Sequence, residues 1–78
     1  MLFQIRLYCL DAKTGNHYDE HTVFMEFKSI DELEESFNER YYNRLYKYDD
    51  VLTMVRPVGY IDTQFAIIRK GDVFPTPD

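Results

Sequence analysis

Apolar and polar residues alternate at the amino-terminal end of the chain, with Phe3, Ile5, Leu7 and Cys9 in one row and Gln4, Arg6 and Tyr8 in the other. A period of two is that of a strand with one buried face. Asp11, Thr14, Gly15 and Asn16 then supply a turn. A second strand follows over about 17–28, placing Val23, Met25 and Phe27 on one face and Thr22, Phe24, Glu26 and Lys28 on the other. A two-residue Gly15-Asn16 turn would set odd residues of one strand against even residues of the other. A slip of one residue inverts every side chain, so both apolar rows meet one core only through a three-residue loop or a β-bulge. The sequence predicts one of these.

At Ser29 the period changes. Ser29 and Glu32 form an S-x-x-E capping box. Acids (Asp31, Glu32, Glu34, Glu35) crowd the first turns and bases (Arg40, Arg44, Lys47) come late, in the order the helix dipole favours. Ile30, Leu33, Phe37, Tyr41 and Tyr48 share one helical stripe, with Leu45 at its edge. The pattern predicts a helix over about 29–48, closed by Asp49-Asp50. Its outer face would carry Tyr42 and Tyr46 beside Glu35 and Glu39, and Arg40, Arg44 and Lys47 would line one edge. Two further strands are expected over about 51–56 and 60–69, joined by a type I turn at Arg56-Pro57-Val58-Gly59, with Ile61-Asp62-Thr63-Gln64 as a rival turn. Residues 71–78, with Pro75 and Pro77, read as an extended tail.

These elements give an α+β class and one domain over 1–70. The order ββαββ implies a four-stranded, mainly antiparallel sheet with the helix on one face. In size and element order it is similar to β-grasp (ubiquitin-like) domains. Two adjacent hairpins are the other arrangement the order allows. No family motif accompanies the resemblance, so it implies no function.

Composition narrows the function classes. A chain of 78 residues buries only about 60–65% of the surface it exposes when unfolded, yet six Phe and seven Tyr suffice for one core and argue against disorder. A net charge of −5 weighs against nucleic-acid binding, which draws its affinity from Lys and Arg on phosphates. The single cysteine, Cys9, excludes an intrachain disulfide and suits a reducing cytoplasm. Gln4 and Arg6 interrupt any signal-like run, and the longest apolar stretch, Phe65 to Ile68, is far too short for a membrane helix.

Candidate chemistry is sparse. His17-Tyr18-Asp19-Glu20-His21 matches the H-x-x-E-H zinc pattern. On a strand, residues four apart are about 13 Å apart, too far to share one ion, and Asp19 with His21 would need ligands from elsewhere. A polar strand start is the stronger reading, with no metal or cofactor. Cys9 could face His21 across the hairpin, but its apolar row reads as packing rather than nucleophile. Arg6, Tyr8, Phe24 and Lys28 should share the open sheet face. Tyr, Phe and Arg are favoured in protein contacts, while aromatics among bases also suit single-stranded nucleic acid. Thr76-Pro77 is a candidate docking site in the tail. The expectation is a non-enzymatic protein-binding module, an adaptor or inhibitor of the kind phages and mobile elements encode. Its contact residues would be Arg6, Tyr8 and Phe24, or Tyr42, Tyr46, Glu35 and Glu39. Nucleic acid is the alternative partner, and self-association as a homodimer a further one.

Overall fold

The computed structural model describes residues 1–48 and 50–75. Strands β1 (Leu2–Leu10) and β2 (His17–Glu26) form a hairpin, followed by helix α1 (Ile30–Glu39). Then come β3 (Asn43–Lys47), β4 (Val51–Val58), β5 (Asp62–Arg69), a 3-10 turn at Lys70–Asp72, and β6 (Val73–Phe74). The sheet runs β2-β1-β5-β4-β3, and β6 pairs with β1. Every pairing is antiparallel. The class is α+β as expected, but the described residues form six strands where four were expected. Two adjacent hairpins do form the centre, joined through β1 and β5. The β-grasp-like alternative rested on the order ββαββ, and β3, standing between the helix and β4, removes that match.

The first hairpin contains the expected bulge. Leu2 to Leu7 face Glu26 to His21 in an odd-with-odd register, then Cys9 faces Tyr18 and Leu10 faces His17. Asp19 and Glu20 together oppose Tyr8, and Asp19 takes the left-handed conformation (φ 55°) that Asp tolerates better than most residues. The even register of the strand bodies places Phe3, Ile5, Val23 and Met25 toward one core. The same shift puts Tyr18, not His21, opposite Cys9, which corrects the Cys9–His21 approach.

Helix α1 begins as its sequence dictates. Ser29 Oγ accepts from Glu32 N–H (3.1 Å), and Lys28 N–H donates to the Glu32 carboxylate. It ends two turns early. Tyr42 N–H donates to Phe37 C=O (3.0 Å) and Tyr41 N–H to Asn38 C=O (3.0 Å), the bond pair of a Schellman motif. Tyr41 holds the left-handed position (φ 71°) that glycine usually fills, and the Phe37 and Tyr42 rings pack at 5.0 Å, the apolar contact that completes the motif. Residues 43–47 are therefore a strand. Tyr and Asn are poor helix formers and Tyr a good strand former. The late bases serve across elements rather than along a helix: Arg44 reaches Glu34 (3.4 Å), and Lys47 reaches Asp31 (3.7 Å) and Glu34 (3.9 Å).

Leu33 and Phe37 carry the helix onto Phe3, Ile5, Leu52, Met54, Ala66 and Ile68, with Tyr42 sealing the helix end. Leu45, Tyr41 and Tyr48 of the expected stripe are all exposed. Strand β4 extends through Pro57, and the turn lies at 59–61, with Val58 opposite Asp62. β3 pairs no further than Val55, so Pro57 stands where β4 has become an edge, the place a sheet tolerates a residue without an N–H. The expected tail is partly sheet: Phe74 faces Leu2, Val73 faces Phe3, and Val73 packs on the core. Thr76-Pro77 lies outside the described residues. The molecule is elongated, 46 × 20 × 20 Å.

Candidate functional site

Among the described residues, the ten-residue helix α1 covers one face of the sheet and nothing covers the other. Register assigns that open face row by row. Thr22, Arg6, Ile67, Thr53 and Tyr46 form one row across β2, β1, β5, β4 and β3, and Tyr8, Phe65, Val55 and Asn43 form the next. Phe24 lies opposite Gln4 toward one end, and His17 opposite Leu10 toward the other. Tyr8 stacks on Phe65 (5.0 Å, 11°) and on His17 (4.4 Å, 24°). Burial in this stack raises the Tyr8 hydroxyl above the ordinary phenol range, with smaller contributions from Tyr46 and Glu20, so it acts as a neutral hydrogen-bonding ring. Thr53, flanked by Ile67 and Tyr46, is only 3% exposed although no helix covers it, and its hydroxyl has no hydrogen-bond partner among the described residues. Phe24 is 60% and Tyr46 44% exposed, which leaves apolar area facing solvent at both edges of this face.

Tyr8, Phe24 and Arg6 stand together on this face as the alternation predicts. Arg6 is not free: its Nε lies 3.5 Å from the Asp72 carboxylate, so its charge is compensated. Asp72 arrives from the 3-10 turn, an element the sequence reading treated as tail. Tyr46 joins the same face from β3, which corrects its assignment to the helix. Tyr42 does not: it is 4% exposed, enclosed between Phe37 and the guanidinium of Arg56, whose carbon sits 4.5 Å from the ring centroid. With its C-cap at Arg40, α1 carries neither Tyr42 nor Tyr46, which corrects the outward tyrosines expected of it. Glu35 and Glu39 remain exposed on α1, but Tyr42 and Tyr46 lie beyond its end and do not share its outer face. Sequence reading missed Phe65 as the partner of Tyr8, Ile67 as the neighbour of Arg6, and Val55 beyond Phe65 in the same row. Their apolar row on β5 and β4 was visible, but which strand neighbours β1 was not.

The histidine motif is split by the bulge. His17 stacks on Tyr8 at the open face, whereas His21 pairs with Leu7, a residue packed against the core on the helix side. His17 Nδ1 approaches Glu20 (3.5 Å) and His21 Nδ1 donates to Asp19 C=O (2.9 Å). Among the described residues no three His, Cys, Asp or Glu side chains converge as a metal site. Cys9 is 5% exposed, and burial chiefly pushes its thiol up, away from the reactive thiolate. Beside it, Tyr18 Oη donates to Asp62 Oδ2 (2.6 Å) and Ala12 N–H to Asp62 Oδ1 (3.1 Å), binding the β1–β2 loop to β5. No helix of the described residues is long and apolar enough to cross a membrane.

Comparison of the chain with models of protein families, with curated proteins and with solved structures finds no match.

Proposed function

We propose that this protein is a non-catalytic protein-binding module whose contact surface is the open sheet face. The observation that carries the reading is the uncovered array of Tyr8, Phe65, Ile67 and Tyr46, with Phe24 projecting beside it at 60% exposure. Large exposed apolar area on a small domain is the usual mark of an interaction surface, and rigid aromatic side chains supply contact area at low entropic cost. Cross-strand stacking of Tyr8 with Phe65 and His17 fixes part of that surface before any partner arrives, which reduces the cost of ordering it. The role fits an adaptor or an inhibitor, including one encoded by a phage or mobile element. The engagement of Arg6 by Asp72 makes single-stranded nucleic acid the weaker reading, because stacking platforms of that kind rely on free cations for phosphate.

The test is affinity capture from lysate, quantified by mass spectrometry, with wild type, with F24S/Y46S, and with E35K/E39K. The open-face pair should lose a partner that the helix pair retains. Retention of the same partner by F24S/Y46S would overturn the assignment. Sedimentation of wild type and F24S/Y46S separates a homodimer from a foreign partner. A gel shift of a single-stranded oligonucleotide that falls steeply with salt would favour the nucleic-acid reading instead.

A further inference from the structure

On the helix side of the sheet, α1 stops before the sheet does. Beyond Arg40 the uncovered area forms a concavity of about 400 Å³, within the size range of small-molecule sites. Its apolar wall includes Leu7, Met25 and Phe37, and its polar rim includes Arg40, Arg56 and His21. No carboxylate is among the described residues that line it, on a chain whose net charge is −5.

Arg56 is held in place by three independent contacts. Its Nε donates to Gln64 Oε1 (2.7 Å), its Nη1 donates to Arg40 C=O (3.1 Å), and its guanidinium lies over Tyr42 at 4.5 Å. Gln64 is only 8% exposed, so a buried amide fixes the guanidinium from below. A guanidinium carries five N–H donors, and the two hydrogen bonds leave the others free. With Nε taken by Gln64, the Nη end of this preorganised guanidinium is the part that can face the oxygens of a carboxylate. Methionine and aromatic walls beside it accept an apolar body of varied shape. His21 donates Nδ1–H to Asp19 C=O, because a carbonyl only accepts, and this fixes its ring at the rim.

We infer that this concavity binds a small organic carboxylate with an aromatic or branched aliphatic body, the carboxylate on Arg56 and Arg40 and the body against Phe37, Met25 and Leu7. The site lies on the opposite side of the sheet from the protein-binding face and does not depend on it.

Titration of ¹⁵N-labelled protein with 3-phenylpropionate, followed by amide shifts and calorimetry, tests the inference. Saturable binding is expected, with the largest shifts at Leu7, Met25, Phe37 and Gln64. 3-Phenylpropionamide, with the same body and no charge, should bind at least about tenfold more weakly, the loss expected for a charge-assisted hydrogen bond. Inorganic phosphate, with charge and no body, should also bind more weakly. R56K retains the charge but not the fork and should weaken the carboxylate by a similar factor. R40Q provides a second variant if R56K disturbs the fold, since the Arg40 carbonyl that holds Arg56 belongs to the backbone. Equal affinity for the amide, equal affinity for phosphate, shifts confined to the open face, or unchanged binding in folded R56K and R40Q would each overturn the proposal, as would failure to saturate.

Discussion

Tyr18, near the start of β2, donates to Asp62, at the start of β5, and this hydrogen bond makes stability depend on pH in a definite direction. The Tyr18 hydroxyl and the Ala12 N–H hold the Asp62 carboxyl below its ordinary range. A carboxylate whose folded pKa is depressed stabilises the fold above its unfolded pKa and loses that contribution as pH falls through the folded one. The same bond, chiefly, raises Tyr18, so its contribution is present at neutral pH and is lost as pH rises through the folded tyrosine pKa. Thermal melts should therefore show D62N less stable than wild type at neutral pH, with the gap closing as pH drops below the carboxylate range. Y18F should lie near D62N, and the double variant should add little to either single one. Cys9 offers a second check at this scale. Buried, with its thiol pushed up, it should alkylate with iodoacetamide far more slowly in native protein than in denaturant. Equal rates would mean that the hairpin opens freely around it. Neither partner of Tyr18 was legible from sequence, because a bulge of one residue decides which side chain reaches β5.

The helix shows how an element can be half readable. Its start was written in Ser29 and Glu32, whose side chains satisfy backbone donors within four residues. S29A should cost about 1 kcal/mol in a denaturant melt. Its end was hidden, because Tyr41 occupies a position where glycine would have announced the stop. A left-handed non-glycine residue is strained by roughly 1–2 kcal/mol, and Tyr41 is 81% exposed, with little packing to lose. Y41G should therefore raise stability, by up to about 1 kcal/mol after the added freedom of the unfolded chain is counted. A fall in stability would mean that the Tyr41 ring contributes packing. Helical periodicity beyond Arg40 was genuine in the pattern but matched a strand equally well once Leu45 is taken as a bulge, since Arg44 and Lys47 then point back to Glu34 and Asp31.

At the scale of the whole molecule, two layers enclose one core on one side of the sheet. Phe37 anchors the last turn of the helix to it, 2% exposed and against Tyr42, so F37A should cost about 3–5 kcal/mol and leave little folded protein. F24S, on the open face, should change stability by no more than about 0.5 kcal/mol, as for an exposed site. Chemical denaturation of the two variants separates the face that holds the fold from the face free to bind. Comparable losses would place Phe24 in the fold and weaken its role as a contact. The long edge strand β2 does not invite pairing with another chain along its whole length, because the bulge at Asp19-Glu20 interrupts it.

Local rules were enough for whatever local forces decide. The alternation of Phe3, Ile5 and Leu7 dictated a half-buried strand, the parity of Val23 and Met25 required a bulge or an odd loop, and Ser29 with Glu32 placed the helix start. The open face with Arg6, Tyr8 and Phe24 followed from the same alternation. Tertiary structure decided the rest, for a physical reason. Residues 41–48 satisfy helix and strand periods alike, and the gain from pairing β3 with β4 and closing Phe37 on Tyr42 settles the choice. That one decision moved Tyr42 from an outer surface into the core and Tyr46 onto the open sheet. It also cut the helix short, exposing the concavity beside Arg56, which no spacing in the sequence records.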